Sequence, residues 1–191
     1  MGNSMNFKTK IIPVILGLTL TGCSTLSMES SDTSTPYNAC QTLLQNKDWY
    51  KASLRAYRKW GIPISVQLSV IKHESSFNGD ASATTSSAYG YAQALTGTFS
   101  DYKKATGNTG ASRGSYWDST DFIGWYYSES SKRLSHSPYD ARTFYLAYHD
   151  GIGGYQKGTY KKKKWLVQKS KKVQKLAETY RMQLNKCGLT L

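Results

Sequence analysis

Acid–base chemistry needs a carboxyl on a rigid support, and of the four glutamates in this 191-residue chain Glu74 has the best one. Glu29 lies among small polar residues, and Glu129 and Glu178 sit in polar helical surroundings. Ile64, Leu68 and Ile71 recur at i, i+4 and i+7 behind Pro63, a residue favoured in a helix's first turn, so Glu74 falls at the end of an amphipathic helix. Glycine, serine and threonine then crowd residues 79–90, which breaks any regular period and makes a loop able to wrap a ligand. That loop ends on Gly90-Tyr91-Ala92-Gln93. An acid on a helix end, followed by a polar loop and a Gly-x-x-Gln turn, suits protonation of a glycosidic oxygen while sugar hydroxyls and amides are gripped. A general acid must keep its proton near neutral pH, and desolvation by Phe77 and neighbouring tyrosines would do this. Lys72 and His73 would oppose it, but so close before Glu74 on a helix they point elsewhere.

The type of glycan cleavage turns on whether a second carboxylate exists. An inverting hydrolase needs one about 6.5 to 9.5 Å from the acid, and a retaining one needs a nucleophile at about 5 to 5.5 Å. Asp80 is the sole acid between Glu74 and Gln93, in a glycine loop ill-suited to holding a base, while Asp101 and Asp150 lie farther along. His73 and His136 have no sequence partner that suggests a metal, and the cysteines lack metal-ligand spacing, so no cofactor is expected.

The elements that must position these residues read as helices. Leu43, Leu44, Tyr50, Leu54 and Tyr57 place a helix over 41–60, stopped by Gly61. After the Glu74 helix and its loop come a short helix over 98–105 and a second flexible loop over 107–117. Asp118 is a candidate N-cap for a segment reaching Leu134. Pro138 starts a helix through Phe144, Tyr145 and Tyr148, which Gly151 ends, and Val173, Leu176, Tyr180 and Leu184 stripe a lysine-rich last helix. With 39 % apolar and 13 % aromatic content the chain can bury one core, so the expectation is a single mainly α domain.

The ends carry address information. Lys8 and Lys10 precede an apolar run, residues 11–20, too short to span a bilayer of about 30 Å, so residues 1–22 read as a signal peptide. Leu20-Thr21-Gly22-Cys23 resembles the bacterial lipobox, which implies lipidation of Cys23, and Ser24 then favours retention at the outer membrane, facing the periplasm. Residues 23–36 read as a lipidated cysteine and a polar tether, the last 13 of them reaching roughly 45 Å when extended, ahead of a folded domain over 37–191. Cys40 and Cys187 remain as an even pair in an exported chain, either a disulfide, which the arithmetic favours, or two buried thiols. Without Lys8 and Lys10 the net charge of +13 falls to +11. An exported basic protein meets peptidoglycan carboxylates, lipid phosphates or an envelope assembly partner rather than nucleic acid.

Three motifs carry a family resemblance. Glu74-Ser75-Ser76-Phe77 with Ala81, Ser87-Ala88-Tyr89-Gly90-Tyr91-Ala92-Gln93, and Ala147-Tyr148-His149-Asp150-Gly151 occur in that order. They resemble the E-S-x-F-x-x-x-A, S-x-x-G-L-M-Q and A-Y-N-x-G motifs of the lytic transglycosylases of the soluble-lytic-transglycosylase family, over roughly residues 60–155. The resemblance implies a lysozyme-like fold and cleavage of the MurNAc-GlcNAc bond of peptidoglycan with formation of 1,6-anhydroMurNAc. It implies Glu74 as the single acid/base, Ser75 as a cleft hydroxyl, Gln93 as a substrate contact and Tyr148 as the tyrosine whose hydroxyl faces the catalytic carboxyl. Tyr91 and Ala92 replace the family's Leu-Met, and His149 replaces its asparagine. Blander roles stand beside these: a core aromatic for Tyr148, a loop-bracing amide for Gln93, a structural or sugar-contacting His149, and a solvated face for Lys161–Lys164, Lys169, Lys171, Lys172 and Lys175. A lysozyme-type hydrolase and a non-catalytic wall-binding scaffold are the competing functions.

Overall fold

The structure, a computed structural model, describes Met1, Gly2 and residues 38–189. The apolar run, Cys23 and the expected tether lie outside the described residues. From Ala39 onward the chain belongs to one compact unit of helices: α1 (Ala39–Gln45), α2 (Lys47–Trp60), α3 (Ile64–Ser75), α4 (Thr96–Thr106), α5 (Tyr116–Leu134), α6 (Ala141–Asp150), α7 (Ile152–Lys157), a 3-10 turn (Thr159–Lys162) and α8 (Lys164–Lys186). Among the described residues β pairing is confined to two isolated bridges, Ser82 with Tyr89 and Tyr89 with Ala94. Among the described residues the expectation of a single mainly α domain is met.

Several boundaries differ from those read in the sequence. The helix expected over 41–60 is two helices, because Asn46 leaves helical geometry at φ −122° and ψ 75° and turns its amide back onto Thr42 O. The cap of α5 is Ser115, whose hydroxyl accepts from Asp118 N at 3.2 Å, so Asp118 sits in the first turn instead. Asp140 rather than Pro138 opens α6, accepting from Thr143 N at 2.9 Å.

α3 is the central element. It was expected to be amphipathic, yet it is buried nearly all round, from Ile64 through Ile71 and again at Ser75. Polar residues survive there because they are satisfied: Gln67 Nε2 donates to Ser53 O and Ile62 O, both at 3.0 Å, and Ser69 Oγ donates to Val66 O. α8 lies along α3 and α6 and buries Leu166, Ser170, Val173, Ala177, Tyr180 and Leu184.

α2 and α5 meet closely because Gly124 has no side chain: a Cβ there would stand 2.4 Å from Trp60 Cδ1. Beside this contact the fully buried Asp121 accepts from Trp60 Nε1 at 2.9 Å and Tyr102 Oη at 2.7 Å, and pairs with Arg55 and Lys59. Burial alone would raise its pKa, but these donors and charges outweigh burial and hold it below the ordinary carboxylate value. A disulfide joins Cys40 to Cys187 with Cα atoms 6.3 Å apart, tying α1 to the end of α8, as the cysteine count favoured.

Candidate active site

α3 ends at Ser75 in an unusual turn. Ser76 and Phe77 are both left-handed, at φ 53° and 64°, a conformation non-glycine residues adopt at a cost of order 1 kcal/mol or more. The turn is held from both sides. Ser75 Oγ donates back to Ile71 O at 3.3 Å, and Phe77 stacks on Trp49 of α2, which also stacks on Tyr116 and meets Tyr91 edge-on. Ser75 is accordingly buried with its hydroxyl spent inside the helix; the structure corrects its reading as a cleft hydroxyl.

This turn leaves Glu74 at the last turn of a rigid helix. Its Oε1 is sealed from solvent and has no hydrogen-bond partner. Burial pushes the Glu74 pKa up, and the Tyr145 hydroxyl and the Lys169 charge pull against that without reversing it. Tyr145 Oη, itself buried and unpartnered, faces the carboxyl at a distance or angle short of a formed hydrogen bond, and burial together with the Glu74 charge pushes its pKa far up. Tyr145, not Tyr148, is thus the tyrosine whose hydroxyl faces Glu74. Tyr148 lies one turn farther along α6 and donates to Ala92 O at 2.6 Å. Its ring packs among Phe122, Tyr126 and Phe144, so the hydroxyl braces the loop.

The loop over 79–94 is fastened rather than loose. Gly90 has φ 79°, its N–H reaches Ala81 O at 2.8 Å, and a Cβ on it would fall 1.8 Å from Arg113 O, so only glycine fits. Gln93 Nε2 donates to Ala81 O at 2.8 Å and Gly90 O at 3.0 Å, which makes it the loop-bracing amide. Tyr91 is half-buried, packed edge-on to Trp49 and Tyr116. The segment over 107–117, expected to be flexible, carries the clamp, and its last two residues already belong to α5: Arg113 Nη1 donates to Ser87 O and Ala94 O, and Ser119 Oγ donates to Arg113 O.

Beside this loop a cavity of about 140 Å³ is lined by Gln93, Leu95, Phe122, Tyr126, Tyr148 and His149. His149 stands on one side, its ring edge-on to Trp165 with ring centres 4.8 Å apart. Burial first, then the Lys169 and Lys163 charges, lower its pKa and favour the neutral ring. A larger groove of about 350 Å³ is lined by Tyr57, Pro63, Ile64, Tyr139 and Arg181. It lies at the other end of α3, about 15 Å from Glu74 along the helix, and brings no acid to the chemistry.

The candidate second carboxylates are engaged elsewhere. Asp80 is exposed and accepts from Tyr89 Oη at 3.2 Å, Asp101 is exposed on α4, and Asp150 is bound by Lys163 and Thr159. Sequence reasoning passed over Tyr145, Lys169, Arg113 and Trp49 as site residues. Tyr145 had one usable signal, its i−3 spacing from Tyr148, which puts both on neighbouring positions of one helix face.

A bundle of helices around a buried central helix, with a carboxyl at that helix's end whose Oε1 is sealed from solvent, fits the lysozyme-like class. The family profile described as "Transglycosylase SLT domain" matches residues 11–187, and the chain belongs to that family. The match extends past the 60–155 region legible from motifs and takes in both α1 and α8. No curated protein and no solved structure matches the sequence.

Proposed function

We propose that this protein is a peptidoglycan lytic transglycosylase, cleaving the MurNAc-GlcNAc bond and leaving 1,6-anhydroMurNAc, with Glu74 as its one acid/base. The observation that supports this best is the solitary character of Glu74: its Oε1 is sealed from solvent, its pKa is raised, and the groups acting on it are Tyr145 and Lys169 rather than a carboxylate.

In this reading the protonated Glu74 gives its proton to the glycosidic oxygen as the bond from that oxygen to the MurNAc anomeric carbon breaks. The resulting carboxylate gains from the Lys169 charge and from the Tyr145 hydroxyl, which can close into a full hydrogen bond when charge develops. The carboxylate then takes the proton from the MurNAc 6-hydroxyl as its oxygen bonds the anomeric carbon. Water is not consumed, so no second carboxylate is required. Cys23, as a lipidated first residue, would hold the enzyme at the outer membrane on the periplasmic side.

Purified peptidoglycan digested with the protein should release anhydromuropeptides, and Glu74→Gln should fold yet release none. Reducing-end muropeptides, heavier by one water, would establish a lysozyme-type hydrolase and return attention to Asp80, Asp101 and Asp150. Full activity in Glu74→Gln would reject the assignment and favour a wall-binding scaffold.

A further inference from the structure

Most lysines on α8 and the turn before it are exposed to water, as a solvated face should be: Lys161, Lys162, Lys164, Lys171, Lys172 and Lys175. Lys169 differs. It is half-buried, and its Nζ sits 5.8 Å from the ring centre of Tyr145, the residue facing Glu74. Other lysines have carboxylates, Lys51 with Asp48, Lys59 with Asp121, Lys132 with Glu129 and Lys163 with Asp150, but among the described residues Lys169 makes no ion pair. A half-buried ammonium that makes no ion pair has donors left for an incoming anion. Trp165 stands one helical turn before it on the same face, 54 % exposed, with its edge contact to His149 linking it to the cavity beside Tyr148. An exposed indole one helical turn from an ammonium that makes no ion pair matches a sugar that carries a carboxylate.

We propose that Trp165 and Lys169 form a subsite on α8 that takes an acidic muramyl unit, the indole bearing on the sugar ring and the ammonium pairing with a carboxylate. This rests on the glycan-cleaving reading above and specifies the substrate. The strand's sugar rings are otherwise neutral, so the carboxylate comes from one of two sources. It is the lactyl carboxyl of a peptide-free muramyl residue or a carboxyl on the attached stem peptide.

The test is a binding titration, which does not depend on turnover. Mature Glu74→Gln protein, alone and combined with Lys169→Met or Lys169→Arg, is titrated with three glycan strands: peptide-bearing, peptide-free after amidase treatment, and fully amidated at its carboxyls. Lys169→Met should weaken binding about five- to tenfold on carboxylate-bearing strands and leave the amidated strand unchanged, and Lys169→Arg should recover most of the loss. Persistence of the effect on peptide-free strands identifies the lactyl carboxylate, and its restriction to peptide-bearing strands identifies the stem peptide. Equal weakening on all three strands, or none on any, overturns the proposal, since Lys169 would then meet no carboxylate of the strand. If the titration behaves as expected but the wild type cleaves no strand, the subsite stands and the transglycosylase reading falls.

Discussion

At the scale of single residues, the burial that arms Glu74 also burdens the fold. A carboxyl whose pKa is higher folded than unfolded binds more protons in the native state, so its contribution to stability is fully present below its unfolded pKa. That contribution is lost as pH rises through the folded value. Glu74→Gln removes the penalty, and its melting temperature should exceed the wild type's at neutral pH, with the gap closing as pH falls towards 4.5, the ordinary value. The gain is about 1.4 kcal/mol per unit by which burial has raised the pKa, and thermal melts of both proteins across that range measure it. The identity of the acid was legible because a rare residue type sat at the end of a periodic apolar helix. The roles of Ser75, Gln93 and Tyr148 were not, because each depends on which backbone carbonyl lies within reach after folding. Ala81 O takes Gln93 and Ala92 O takes Tyr148, meetings that no sequence spacing encodes, while Ser75 turns back onto Ile71 O four residues before it in the helix.

At the scale of elements, helix existence was legible from apolar periodicity, whereas ends were set by local hydrogen bonds. Asn46 splitting the first helix and Ser115 capping α5 are both side-chain choices that periodicity does not see. α3 departs further from its amphipathic expectation: Ser65 and Ser69 are polar by type, yet each is small enough to be buried between packed helices. The two ends of the unit are fixed by the Cys40–Cys187 disulfide, which spans a sequence separation of 147 and so removes much denatured-state freedom. Replacing both cysteines by serine should cost about 2 to 5 kcal/mol and lower the melting temperature by roughly 5 to 15 °C. A melt of the double variant beside the oxidised wild type checks this, and unchanged melting would show that the packing of α1 on α8 suffices without the bond.

At the scale of the whole molecule, the charge is concentrated where the fold leaves it in water, on Lys157, Lys161, Lys162, Lys164, Lys171, Lys172 and Lys175. Attraction to the anionic envelope through exposed ammonium groups is screened by salt, while attachment through a lipid is not. Full-length Cys23→Ser should therefore leave the membrane fraction on the order of tenfold more readily at 0.5 M than at 0.05 M salt, while wild type stays pelleted. Equal release of the two proteins would remove the lipid anchor from the account. The disulfide also decides how the domain bears mechanical load. Were the enzyme anchored as proposed and gripping a glycan strand, a pull from the membrane would arrive at Asn38, the cap of the seven-residue α1, a segment too short to resist being peeled away one turn at a time. Two residues farther on, the tension meets Cys40 and divides, one branch following the backbone and the other crossing the sulfurs into Cys187 and the 23-residue α8. On the anchored, glycan-cleaving reading proposed above, the strain would run along the longest helix among the described residues, the one packed on α3, and the glycan could be held taut without the fold unravelling from its tethered end.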